Sequence, residues 1–157
     1  MVTTKKTRKG ASAVIFRMEK GEPEFLILHR IKRWTGWELL KGGRIEREHP
    51  LETLTRELKE ETNTNPDQIK SIVEMPFLLK FKTSPDYIKK YKYTRMEFKS
   101  YIVEHVGKVS IKHNDIREHD AYKWTDYKNA LKLLTFETSR NQLKLAHYFI
   151  KKGKFKD

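Results

Sequence analysis

The sequence predicts an α/β fold, with helices layered on a mixed sheet, on three observations. Short runs rich in Val, Ile, Leu and Phe open the chain and return in its middle. One strongly amphipathic segment separates the two groups, and two more helical segments close the chain. The order strands, helix, strands, helices is that of a mixed layer structure rather than a regular βαβ repeat. At 157 residues the chain reads as one domain spanning 1–157, with 1–9 expected as a flexible basic N-terminus.

Residues 11–18 and 23–30 are dense in β-branched and aromatic residues, and "EKGE" (19–22) between them reads as a turn, so the pair is expected as a hairpin. A further short strand is expected around Trp37 to Leu40. Pro50 sits where a first helical residue tolerates proline. Leu51, Leu54 and Leu58 then recur at i, i+3 and i+7, which predicts a helix of about 13 residues. Asn63 suits a left-handed C-terminal position. Beyond "TNPD", residues 69–82 and 92–106 are expected as extended segments, joined by a basic, tyrosine-rich connection at 83–91. "HDAYKW" (119–124) reads as a short strand with Trp124 in the core. Residues 126–134 read as a helix. A last helix is expected from Ser139, turning Leu143, Leu145, Ala146 and Ile150 inward.

The composition narrows function. There is no cysteine, so disulfides, thiol nucleophiles and thiolate metal sites are excluded. No apolar run approaches the roughly 18 to 20 residues of a membrane span. "MVTTKKTRKGASAV" lacks the apolar stretch of a signal peptide, so a cytoplasmic location with no membrane partner is expected. The 34 basic residues exceed the 21 acidic ones, giving +13. That imbalance suits a polyanionic partner, and equally a merely soluble surface.

Against that background, Glu46, Glu48, Glu52, Glu57, Glu60 and Glu61 crowd into residues 41–63. At about 100° per residue, Glu57, Glu60 and Glu61 share one stripe of the predicted helix, beside the leucines. Like charges at i, i+4 cost a few tenths of a kcal/mol each. Arg56 can relieve part of this by pairing with Glu60 or Glu52. Carboxylate oxygens suit a hard cation such as Mg²⁺ or Mn²⁺, which binds jointly to protein and phosphate.

Written by spacing, the segment is Gly42, five residues, Glu48, seven residues, Arg56-Glu57-Leu58, one residue, Glu60-Glu61. It resembles the Nudix hydrolase signature, G-x5-E-x7-R-E-U-x-E-E-x-G-U, where U is a bulky aliphatic residue. Asn63 and Thr64 depart at its last two fixed positions. Asn tolerates the left-handed backbone that glycine adopts there, and Thr64 bears on local packing.

The resemblance implies an α/β/α sandwich with a mixed sheet, and Mg²⁺- or Mn²⁺-dependent hydrolysis of a nucleoside diphosphate linked to another moiety. It assigns Glu57, Glu60, Glu61 and Gly42 to the metal, with Gly43 in the same loop. Arg56 and Glu48 become the ion pair that orients the carboxylates, and Leu58 a core anchor. Phosphoanhydride hydrolysis needs charge neutralisation, a positioned water and in-line geometry, which agrees with such a site.

The segment 118–143 resembles the C-terminal part of the diadenosine tetraphosphate hydrolases of this superfamily, so a dinucleoside polyphosphate is the expected substrate. Arg30, Lys32, Arg33, Trp34, Trp37 and Lys41, which precede the metal site, are bases and aromatics that suit such a ligand, with Arg30, Arg33, Trp37 and Lys41 expected to bind substrate. "YIKKYKYTR" (87–95) offers Tyr87 and Tyr91 for base stacking and Lys90 for phosphate. Three alternatives stand beside this: an ADP-ribose or nucleoside-sugar pyrophosphatase, an enzyme acting on the 5′ end of RNA, and a non-catalytic nucleic-acid-binding module. The carboxylate set argues against the last, since a binding module has no need of repelling glutamates. Many Nudix enzymes add an acid from a loop just before a tryptophan strand. Here Glu118 stands in that place, with Asp120 as its rival for proton acceptor. The six histidines show no metal-ligand spacing and receive no role.

Overall fold

A computed structural model describes residues 6–111 and 118–153. Its elements are β1 (Thr7–Glu19), β2 (Glu22–Arg30), β3 (Gly36–Glu38), β4 (Leu40–Gly43), α1 (Pro50–Thr62), β5 (Ile69–Lys82), α2 (Pro85–Tyr91), β6 (Arg95–His105), β7 (His119–Thr125), α3 (Tyr127–Leu133) and α4 (Glu137–Lys151). The seven strands form one mixed sheet, with a path β3-β2-β1-β6-β5, β4 on β1 and β7 on β2. β1 and β6 run parallel, and the other pairs are antiparallel.

β1 is the organising strand. Along one edge it keeps β6 from Thr7 to Phe16. It also pairs with β4 over Gly10 to Ala13 and with β2 over Phe16 to Glu19. The β1–β2 turn has Lys20 and Gly21 both at positive φ, 52° and 83°, the hand that matches strand twist in a tight hairpin. Alternation along β1 then sorts the core. Ala11, Ala13 and Ile15 join Leu54 and Leu58 of α1 in one cluster. Val14 and Phe16 join Ala130, Leu134, Leu143 and Ala146 in the other. The sheet is thus covered by α1 on one face and by α3 and α4 on the opposite face, the predicted α/β/α sandwich. Leu54 and Leu58 are fully buried, and truncating either to Ala would cost about 2–5 kcal/mol.

Several expectations shift. Thr7 to Lys9 pair with β6, so they are strand and not tail; residues 1–5 of the expected tail and 116–117 of the expected acidic loop lie outside the described residues. The 83–91 connection contains a helix, α2, capped by Ser84, whose Oγ accepts from Tyr87 N; proline at the first helical position completes that start signal. Leu51 is 51% exposed, so the buried stripe of α1 runs through Thr53, Leu54, Glu57, Leu58 and Thr62. α4 begins at Glu137 rather than Ser139. Among the described residues no helix is long and apolar enough to cross a membrane.

The two departures from the Nudix signature have local solutions. Asn63 adopts φ 55°, ψ 35°, the left-handed cap. Thr64 is buried, and its Oγ1 meets Thr62 Oγ1 at 2.7 Å and His105 Nε2 at 3.0 Å. A polar chain fills the space expected for an aliphatic side chain.

Candidate active site

The acidic face of α1 lies against β4, and Arg56 is the hub. Its Nε and Nη2 donate to both oxygens of Glu48 at 2.8 and 3.0 Å. Nη1 donates to Glu57 at 2.8 Å and Glu60 at 3.2 Å, and Nη2 to the Gly43 carbonyl at 2.8 Å. The rigid guanidinium fork suits this many acceptors. Glu52, the other expected partner, instead accepts from the His49 backbone at the helix start. Glu48 also accepts from Ile45 N and Thr53 Oγ1. The Arg56 hydrogen bonds lead in holding its carboxyl at about 2, helped by these two donors and working against its burial.

Glu57 behaves oppositely. Burial first, then the charges of Glu61 and Glu60, push it up to about 7 despite Arg56. A Cβ added at Gly42 would land on the Glu57 carboxylate, so glycine is required for β4 and α1 to approach this closely. Carboxylates crowded enough to disfavour their own charge are the donor set that a divalent cation satisfies. Glu57 meets the Gly42 backbone, and among the described residues the acids whose ligand atoms lie within reach of one ion are Glu61 and Glu118, with His119.

Glu61 is held from the sheet. His119 Nδ1 lies 2.7 Å from Glu61, and its Nε2 lies 2.7 Å from Glu38 on β3. Glu38 accepts from Arg30 Nη1 at 3.0 Å and pairs with Lys41 Nζ at 3.4 Å. Burial acts to raise the Glu38 carboxyl. The His119 hydrogen bond and the charges of Lys41, Arg30 and His119 outweigh it and hold the group at about 2. Burial likewise opposes protonation of His119, and the two carboxylate hydrogen bonds raise it to about 9. Glu118 Oε2 lies 3.9 Å from Arg30 Nη1, and ligand atoms of Glu61, Glu118 and His119 fall within 4.8 Å of one another. Asp120 is bound elsewhere, 2.6 Å from His29 Nδ1.

The basic and aromatic residues divide. Arg30 is buried and spent on Glu38 and the Lys32 carbonyl. Lys41 faces Glu38 with its Nζ 4.9 Å from the Phe81 ring. Trp37 packs on the second core cluster and meets His29 at 5.0 Å. Trp34 sits edge-on to Phe136 at 4.7 Å. Arg33, Tyr87, Tyr91 and Lys90 do come together. Arg33 lies 5.1 Å from the Tyr87 ring and 5.9 Å from Tyr91, and Lys90 Nζ lies 5.1 Å from Tyr91. Arg8 joins this group to the loop: its Nη1 donates to Tyr87 Oη at 2.6 Å, and its guanidinium fills the space beside Gly43.

Sequence reasoning missed Glu38, His119 and Arg8, and withheld a role from every histidine. The signal for Glu38 was a lone acid inside the apolar run "GWELL". His119 gave only its place between two acids in "EHD". Arg8 lay in a stretch read as tail.

A NUDIX domain family model matches residues 6–146. An RNA pyrophosphohydrolase of Nitratiruptor sp. is 32% identical over 134 residues, 84% of this chain and 85% of that protein. The asymmetrical bis(5′-nucleosyl)-tetraphosphatase of Mus musculus is 30% identical over 142 residues, 87% of each. An Ap4A hydrolase from C. elegans, solved as a binary complex, superposes with a TM-score of 0.73 at 22% identity, covering 94% of this chain and 98% of that one. At that identity the likeness speaks for the fold alone.

Proposed function

The chain belongs to the Nudix family as a pyrophosphohydrolase, and from that premise we propose that its substrate is a dinucleoside polyphosphate, cleaved asymmetrically to a nucleoside mono- and triphosphate with Mg²⁺ or Mn²⁺. The observation that carries this reading is the meeting of Arg33, Tyr87 and Tyr91, joined through Arg8 to Gly43. Tyr91 offers an exposed ring for stacking, buried Tyr87 backs it at 4.6 Å, and Arg33 and Lys90 supply cations, as a ligand with a nucleobase at one end of a phosphate chain requires. Similarity to the mouse tetraphosphatase supports it.

Divalent metals are used throughout the family; held by Glu57, Glu60 and Glu61, such an ion would neutralise phosphate charge and acidify water. The chain's own residues do the rest. Arg56 holds Glu57 and Glu60 through one guanidinium nitrogen while tying Glu48 and Gly43 to them. Glu118 Oε2 takes the proton of the attacking water. Arg33 and Lys90 orient the phosphates distant from the broken bond.

A second reading, the 5′ end of RNA, is favoured by the net charge of +13 and by the Nitratiruptor relative. A long polyanion gains from many phosphate contacts and shows a steep salt dependence. The test is a hydrolysis panel with Mg²⁺ and Mn²⁺ over dinucleoside tetraphosphate, ADP-ribose, nucleoside triphosphates and 5′-triphosphorylated RNA, at low and raised salt. Preference for tetraphosphate is expected. Preference for RNA, with rates collapsing as salt rises, would overturn it.

A further inference from the structure

Glu57 and Glu60 are both bound by Arg56, whereas Glu61 is bound by His119. Resting on the metal-site reading above, we propose that His119, anchored by Glu38, is the positioning residue for Glu61 and is itself no metal ligand. The ring has a carboxylate oxygen at 2.7 Å from each nitrogen. Both ring nitrogens are thus already taken by carboxylates, and neither is open to an ion. The closeness of Glu61, Glu118 and His119 is therefore an ion-pair cluster, with Glu61 and Glu118 as its available oxygens.

The anchor is rigid. The side chains of Glu38 and His119 are 3% and 4% exposed, and Arg30 is itself pinned to the Lys32 carbonyl at 2.9 Å. Residues of β2, β3 and β7 thus converge on one carboxylate of α1. Glu38, Glu61 and Glu118 lie around the ring, and Arg30 and Lys41 pair with Glu38, Arg30 also facing Glu118. Without His119, Glu61 would lose its partner and choose among rotamers, and the ion would meet a spread of geometries. Outer partners that orient ligands in this way typically contribute 10–100-fold to affinity or activity.

Metal affinity and turnover of variants test this. Mn²⁺ titration followed by electron paramagnetic resonance should show His119→Gln weakening binding about tenfold, with kcat lowered and KM nearly unchanged. Adding His119→Gln to Glu61→Gln should then cost almost nothing more, because the two act as a unit. Fully additive losses would make His119 a ligand in its own right, and unchanged Mn²⁺ affinity in His119→Gln would make it merely structural; either result overturns the proposal. If wild-type protein bound no Mn²⁺, the metal-site reading would fall, and a crystal structure of metal-free His119→Gln would still show whether Glu61 keeps its place; a Glu61 that does not move would overturn the proposal.

Discussion

The two ends of the carboxylate cluster solve one electrostatic problem with opposite means. At one end Arg56 serves Glu48, Glu57, Glu60 and the Gly43 carbonyl, all within residues 43–60. At the other, Glu61 depends on His119, Glu38 and Arg30, which come from three strands and stand up to 81 residues from their partners. Both ends interleave a cation among acids, since like charges this close cannot all stay ionised unaided. The first is assembled by one helix and the turn before it. The second exists only once β2, β3 and β7 have paired. A local cluster should therefore tolerate change in the sheet, and a distributed one should report on it.

The largest contrast comes from neutralising one acid at each end. Glu57→Gln and Glu61→Gln should each lower turnover by roughly two orders of magnitude, the scale of losing a charge aimed at the transition state. Their thermal midpoints should part. Glu57→Gln is expected to rise, because a buried, repelled acid is removed. Glu61→Gln is expected to fall, because His119 loses a partner. Retention of most activity in Glu61→Gln, or parallel shifts of the two midpoints, would break the comparison.

Next is Gly42→Ala. Its Cβ would displace the Glu57 carboxylate, so activity should fall nearly as far as in Glu57→Gln, while the Arg56–Glu48 pair survives. A crystal structure of the variant checks the displacement, and an active Gly42→Ala would mean that Glu57 need not sit where it does.

Glu118 sharpens the distributed end. Turnover in Glu118→Gln should drop about tenfold or more, as for loss of a proton acceptor, with little change in stability. Asp120→Asn should do much less, its carboxylate lying on His29. Equal and small effects from both would return the base role to Glu57 or Glu60.

The smallest effect concerns His105, behind the C-terminus of α1. Burial first, then the charge of Arg17, lowers its pKa below the ordinary 6.5, and its Nδ1 has no hydrogen-bond partner among the described residues. The native state thus resists a proton that the unfolded chain accepts. Its contribution is complete above the unfolded pKa and is lost as pH falls through 6.5 and below. Denaturant midpoints from pH 8 to about pH 5 should decline less for His105→Gln than for wild type. Parallel curves would show that His105 is not buried neutral.

Much of this was legible in the chain itself. α1, its proline start and its asparagine cap follow from local backbone preference and from leucine spacing. Arg56 meeting Glu60 follows from spacing on one helix, because 3.6 residues per turn decide which side chains meet, and its pairing with Glu48 from the Nudix resemblance. The strands followed from residue type, the mixed α/β layering from their order, and the sandwich from the Nudix resemblance. Where local signals were polar or sparse, the reading slipped: α2 hid in a lysine-rich stretch, and the start of β1 in a basic one.

What only the tertiary structure decided is which distant residues share a space. Glu38 looked like one acid among many until β3 and β7, both paired to β2, carried it to His119. Arg8 looked like tail until β1 set it beside Gly43 and Tyr87. Arg30 and Lys41 read as free cations for substrate and proved committed to Glu38. Strand pairing joins residues without regard to their separation along the chain. Charge alone cannot say which acid a base will find, and here the sheet register chose.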